Sequence, residues 1–163
     1  NLAVLTSDNS VSDLCELCQQ VCKEDGRPPV LVVDYVQIAP TGAKKQQDDY
    51  ERVTEVMGTL RTHAYSPMGG NVLALSSLRK LSAQDRKEGP SLDWFRGSGH
   101  VGYDAGAAIV LRKSGGLVSH RGVGLCQRVT AHVIKNRFGE VGEVDLDFNG
   151  ALNVFAPPMG DDR

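Results

Sequence analysis

Residues 28–34 read PPVLVVD: two prolines, four apolar residues in a row, then a carboxylate. An uninterrupted apolar run of strand length has no polar side to show water, so it fits a parallel strand with helices over both sheet faces. The flanking sequence agrees. Ser10, with Asp13 three residues later, forms a variant capping box that opens a helix running to about Glu24, and Gly26 with Pro28 and Pro29 ends it. Leu2–Leu5 reads as a short apolar strand before that helix, and Val30–Val33 as the strand after it. Residues 39–49, APTGAKKQQDD, read as a polar loop leading into a second helix from about Asp48 to Ala64, with Tyr50, Val53, Met57, Leu60 and Ala64 as its buried stripe. SPMGG breaks that helix, and Asn71–Ser76 (NVLALS) is the next strand. Alternation of this kind predicts an α/β fold with a mostly parallel sheet flanked by helices.

The remainder changes character. A polar excursion covers residues 77–102; between Arg79 and Arg96 it carries five basic residues against three acidic ones, and it reads as a mobile, mildly cationic loop. Ala107–Leu111 returns as a strand, and RKSGGLVSHRGVG (residues 112–124) reads as a glycine-rich connection. Val129, Ala131 and Val133 then alternate with polar residues, as do Val144, Leu146 and Phe148, and Asn149-Gly150 is a two-residue hairpin turn before a strand over Leu152–Phe155. The C-terminal part is therefore expected to be an antiparallel hairpin, with residues 156–163 a frayed tail.

At 163 residues and 40% hydrophobic, the chain is expected to form one domain with a real core, spanning residues 1–163. Its net charge of -2 and pI near 6.1 exclude a global basic field, so any affinity for nucleic acid must come from local patches. No apolar stretch approaches the roughly 20 residues that cross a bilayer, and no charged start precedes an apolar signal core; the expectation is a soluble, cytoplasmic protein without membrane partners. Opening on Asn1, in what already looks like the inside of a strand, the sequence reads as a fragment. Cys15, Cys18 and Cys22 form C-x2-C-x3-C, but with Val11, Leu14 and Val21 they recur at helical intervals, which places the thiols on the apolar stripe of the first helix and not in a metal or cluster site.

Several residues carry candidate chemistry. Asp34, at the C-terminal end of a parallel strand, faces the crevice where α/β proteins bind ligands and can hold a water of a hydrated magnesium; the alternative is a turn-capping aspartate. Ser76 and Ser77 close the next strand on the same edge, where they either sense a terminal phosphate or satisfy loop amides. In IKNRFG, Lys135 and Arg137 are two apart on a strand and leave one face about 6–7 Å apart, a spacing that suits a polyphosphate or, alternatively, guards a solvated edge. Arg96, beside Gly97 and Gly99 in WFRGSGH, either contacts phosphate through a glycine-opened backbone or marks a hinge, and Trp94 reads as the anchor of its loop. The four histidines show no ligand spacing.

In order and at similar separations, VLVVDYVQI, NVLALSSL, FRGSGHVGYDAGAAIVLRK and VIKNRFGEVGEVDLDFNG resemble the helicase domain of bacterial replicative DNA helicases of the DnaB type, across almost the whole chain. That resemblance implies part of a RecA-like P-loop NTPase core, a homohexameric ring, hydrolysis of ATP with Mg2+ at subunit interfaces, and single-stranded DNA drawn through the centre. It also implies primase and a helicase loader as partners. Carried over by position, Asp34 is similar to the Walker B magnesium residue and Ser77 to the phosphate-sensing position. Lys135 and Arg137 resemble the pair supplied in trans to the neighbouring γ-phosphate, with Arg137 as the arginine finger. Arg96, Gly97 and Gly99 resemble the central-channel loop that grips the DNA backbone. The chain departs from the family in having Ser77 in place of a glutamine, Gly97 in place of an acidic residue, and Asn136 within KNR. It also contains no G-x-x-x-x-G-K-[ST] phosphate loop. The expectation is the back half of such an ATPase domain, inactive by itself; the alternatives are a non-catalytic single-strand-binding or ring-assembly module and another RecA-like recombination ATPase.

Overall fold

The computed structural model describes residues 9–42, 47–66, 69–97 and 99–159, so the strand expected at Leu2–Leu5 lies outside the described residues. The chain divides into two compact units: one reaches Lys87 and takes in Leu92–Ala105, and the other comprises Glu88–Ser91 and the chain from Gly106.

In the first unit, helix α1 (Val11–Asp25) begins at the expected capping box. The Ser10 hydroxyl accepts from the Asp13 N–H at 3.2 Å, and the Asp13 carboxylate accepts from the Ser10 N–H at 2.8 Å, so two of the orphan donors of the first turn are satisfied. The Ser10 hydroxyl also donates to Asp13 Oδ2 at 2.8 Å, and this bond first, then that from the Ser10 N–H, holds the Asp13 carboxyl below its ordinary range. Gly26 ends the helix at φ +69° and donates to Cys22. Strand β1 (Leu31–Val33) pairs in parallel with β2 (Val72–Ala74), with Val33 opposite Ala74. Between them in sequence runs α2 (Asp49–Ala64), started by a second capping box at Asp48 and Glu51. One core joins Val11, Cys15 and Cys18 of α1, Leu31 and Val33 of β1, and Val53, Val56, Met57 and Leu60 of α2. Cys15 and Cys18 are thus packing groups, as their spacing predicts, whereas Cys22 is only half-buried and outside this core; burial pushes the Cys15 thiol up to about 11.

Two expectations need correction in this unit. The stripe of α2 is Val53, Val56, Met57, Leu60 and His63; Tyr50, in the first turn, and Ala64 are exposed. And among the described residues helices cover β1 on one face only, because Leu31 and Val33 are buried while Val30 and Val32 are 62% and 55% exposed.

The excursion after β2 carries regular structure over its described residues. Short helices α3 (Ala83–Glu88) and α4 (His100–Asp104) flank a 3-10 turn at Leu92–Trp94. Its neck closes like a hairpin: Leu78 bridges Phe95, the Arg79 N–H donates to Trp94 O at 2.8 Å, and the Arg96 N–H donates to Ser77 O at 2.9 Å. The polar side chains that suggested a solvated loop instead bond one another. Arg79 donates its fork to both carboxylate oxygens of Asp85, at 3.0 and 2.7 Å, and its Nε to Asp93 O at 2.8 Å.

The second unit is a four-stranded antiparallel sheet in the order β3 (Ala107–His120), β4 (Gly124–Asn136), β5 (Gly142–Asn149), β6 (Val154–Ala156). Antiparallel strands therefore outnumber the single parallel pair among the described residues, which corrects the mostly parallel expectation. The reason lies in residues 112–124: most of this stretch is strand, and Ser114, Gly115 and Gly116 are absorbed in an irregularity between Lys113 and Leu117. The β5–β6 turn is also wider than Asn149-Gly150. Asn149 pairs with Val154, and its Oδ1 accepts from the Leu152 N–H at 2.8 Å while Nδ2 donates to Val123 and Leu125 carbonyls. From the expected tail, Ala156 is buried and the Met159 N–H donates to Asp147 Oδ2 at 3.2 Å; residues 160–163 lie outside the described residues.

Candidate functional site

A parallel pair sends both strands out at the same edge, so Asp34 and Ser76-Ser77 emerge side by side from β1 and β2. Asp34 is exposed, and its peptide to Tyr35 is cis. Three residues on, Gln37 turns back inward and is only 4% exposed. Its Nε2 donates to Ser76 Oγ at 2.8 Å and to Arg96 O at 2.7 Å, and its Oε1 accepts from the Ser77 N–H at 3.1 Å. Arg96 O can only accept and the Ser77 N–H can only donate, so this arrangement fixes which end of the amide points where. Ser77 Oγ is enclosed with no hydrogen-bond partner among the described residues. The residues alone allowed this hydroxyl to meet a phosphate or to satisfy loop amides, and the family resemblance places it at a phosphate-sensing position; here it is buried away from solvent.

The loop that follows sits on α2. Arg96 is exposed, and its Nη2 pairs with Asp49 Oδ2 at 2.9 Å in the first turn of that helix. Gly97 has φ +111°, and a Cβ built there would stand 2.8 Å from Val53 Cγ2, so glycine is required by both backbone and packing. This accounts locally for the absence of an acidic side chain at 97. Gly99 has φ -56° and is exposed, and a Cβ there would meet only the Tyr103 ring at ordinary contact distance. Trp94 is buried, in keeping with an anchor.

Lys135 and Arg137 belong to the second unit, and the structure alters their relation. Lys135 lies in β4 opposite Ala108 and is half-buried, but the strand ends at Asn136. Arg137 is in the turn beyond, exposed, with its N–H donating to Gly106 O at 2.9 Å. They are thus a strand residue and a turn residue, not two same-face strand positions. Asn136 makes that turn: its Oδ1 accepts from the Phe138 N–H at 3.1 Å and its Nδ2 donates to Glu140 O at 3.2 Å, a use of the KNR asparagine as a turn former.

Against known proteins, the family model of the DnaB-like helicase C terminal domain matches residues 2–157. The chain belongs to this family. The replicative DNA helicase DnaB of Geobacillus stearothermophilus is 27% identical over 146 residues, covering 89% of this chain and 31% of that protein. The chain thus spans about a third of its curated relative's length. Among solved structures, the ATPase domain of G40P superposes with a TM-score of 0.72 at 22% identity, over 93% of this chain and 52% of that one. A DnaB-like replicative helicase, described with its interactions with primase, gives 0.71 at 22% identity, over 93% and 36%. The α/β fold is accordingly that of DnaB-like helicase ATPase domains.

Within the family frame, the residue that sequence reading passed over is Gln37. A polar side chain between Val36 and Ile38, three positions after the strand-end carboxylate, was the available signal. Among the described residues no cluster of three or more metal-ligating side chains occurs, and no helix is long and apolar enough to cross a membrane.

Proposed function

We propose that these residues are part of the ATPase domain of a cytoplasmic, ring-forming, ATP-dependent replicative DNA helicase that moves along single-stranded DNA. The observation that carries this reading is the shared edge of β1 and β2, where the exposed carboxylate of Asp34 stands beside the strand end that is hydrogen-bonded to the Arg96 loop. Asp34 would hold a magnesium-bound water, and the bound MgATP supplies a transferable phosphoryl group. Lys135 and Arg137 would meet the nucleotide of a neighbouring subunit: a point charge and a planar fork suited to charge spreading over phosphoryl oxygens. Arg96 would grip the DNA backbone, with Gly97 setting the path of its loop. Ser77, its hydroxyl enclosed, takes no part in contact with phosphate.

No phosphate cradle lies in this sequence, so the chain alone should not turn over ATP, because positioning dominates phosphoryl transfer. The face of β1 that the described residues leave uncovered, with Val30 and Val32 exposed, supports the same reading, since other parts of an ATPase domain would pack there. Primase and a loader are proposed partners of the whole ring.

The test uses the full-length helicase carrying these residues. Asp34→Asn should abolish magnesium-dependent turnover while single-strand binding persists. Arg96→Ala should weaken single-strand binding whatever the base sequence and flatten its salt dependence. Arg137→Ala rings should regain turnover when mixed with Asp34→Asn rings, because each supplies what the other lacks. Full turnover in Asp34→Asn, or no recovery in mixed rings, overturns the assignment.

A further inference from the structure

We infer that Gln37 is the positioning residue that couples the nucleotide edge of the sheet to the DNA-gripping loop, an assignment that rests on the helicase reading above. Its amide joins three segments distant in sequence: β1's exit, the Ser76-Ser77 end of β2, and the backbone of Arg96. Both polar ends of the group are engaged and the side chain is buried, so no water competes for them. A sliding of Ser76-Ser77 against β1 must therefore break a buried bond or carry the Arg96 backbone with it, as the second tie between these segments, Arg96 N–H to Ser77 O at 2.9 Å, reinforces. The base of Gln37 is fixed as well, since Arg52 donates to its carbonyl oxygen at 3.2 Å from α2. The contact to Arg96 is through the main chain, so it survives truncation of the arginine side chain. That separates two functions in one residue: the guanidinium for holding DNA, the carbonyl for reporting it.

The consequence is specific. In the full-length ring, single-stranded DNA should stimulate ATP turnover through this amide, and Gln37→Met, similar in length but unable to bond, should lower the stimulation factor by about tenfold, within the usual range of a coupling between two sites. Gln37→Glu keeps an acceptor for the Ser77 N–H but sets a carboxylate oxygen against the Arg96 carbonyl, and should lose as much.

Hydrogen exchange gives a readout independent of turnover: binding of a magnesium-bound, non-hydrolysable ATP analogue should change protection of the Arg96 amide in the unaltered ring and leave it unchanged in Gln37→Met, with α1 equally protected in both. Equal loss of basal and DNA-stimulated turnover together with reduced α1 protection would reduce Gln37 to a fold-stabilising residue and overturn the inference. Undiminished stimulation in Gln37→Met also overturns it, while the helicase reading stands. An unaltered ring that DNA does not stimulate overturns both.

Discussion

The two units hold their strands by opposite means. In the first, β1 and β2 have only three residues each, and one face is packed by α1 and α2; beyond their backbone bonds, a buried side-chain amide ties the strand ends together. In the second, β3 and β4 are 14 and 13 residues long and polar pairs run across the sheet. From β4 to β5, Arg128 donates to Asp147 at 2.7 Å, Thr130 donates to Asp145 at 2.6 Å, and His132 Nδ1 lies 2.9 Å from Glu143, three successive cross-strand pairs on one face. The opposite face is apolar, with Val129 against Leu146 and Ala131 against Val144. Short parallel strands lean on their surroundings, whereas long antiparallel strands lean on each other. Candidate chemistry follows the same division, at the unsupported strand exits of one unit and at the turn that ends a ladder in the other.

The sharpest way to break this contrast is Asp147→Ala. Asp147 is fully buried, bound to Arg128 on one oxygen and to the Met159 N–H on the other. Removing it strands a guanidinium that is itself mostly covered and frees the chain at Met159, a loss of about 3 kcal/mol. Urea unfolding monitored by hydrogen exchange should show the second unit losing protection before the first. Equal loss in both units would mean that the ladder does not stabilise its own sheet separately.

Next in size is Gly97→Ala, which attacks packing instead of polarity. A side chain at φ +111° that also presses on Val53 should cost about 2 kcal/mol, felt in α2 and the core of the first unit. Both effects should appear in unfolding midpoints measured without DNA, which separates them from any role in gripping it.

How much of this was legible beforehand follows from the range of the forces involved. Helix α1 and its caps are set within a few residues, so Ser10, Asp13 and Gly26 announced them, and the parallel pair followed from an unbroken apolar run. Long-range pairing was harder to see. Ser114-Gly115-Gly116 has the composition of a turn, yet here it is an irregularity between two paired stretches, because the partner strand continues on both sides. Arg79, Asp85 and Asp93 are polar in the manner of a solvated loop, and only their mutual distances make them a lock. Gln37 was invisible for the same reason: its three partners are 39, 40 and 59 residues away. Local propensity carries no record of such bonds.

The Arg79 lock gives a smaller, pH-dependent effect. Hydrogen bonding by Arg79 foremost, then by Ser82, holds the Asp85 carboxyl well below its ordinary value of 3.8. A depressed folded value means that the unfolded chain binds the proton more readily, so the lock's contribution is complete above about pH 5 and fades as the pH falls past the ordinary carboxylate range. Emission of Trp94, whose carbonyl accepts from the Arg79 N–H, should be flat from pH 8 to about 5 and change only in stronger acid. In Asp85→Asn it should lose that acid transition. A transition centred near neutrality would place its origin in another group.

The smallest effect concerns the exposed pair of Arg96 with Asp49. Both side chains are more than half exposed, at 58% and 53%, so water and salt screen them and the pair is worth less than about 1 kcal/mol. Its interest is competitive: a guanidinium held by a carboxylate is not available to a phosphate. Asp49→Asn should leave stability nearly unchanged, because Asp48 still caps α2. On the helicase reading it should tighten single-strand binding by roughly two- to fivefold, the ceiling set by the weakness of an exposed pair. The gain should vanish in an Arg96→Ala background, where no guanidinium remains to be released. If it persists there, Asp49 acts only as a nearby negative charge, and the loop's grip on DNA is not regulated by the contact seen here. If it vanishes, the same helix turn that the first unit uses to pack its core also holds the DNA loop in reserve, a dependence on surroundings that the self-paired sheet of the second unit does not share.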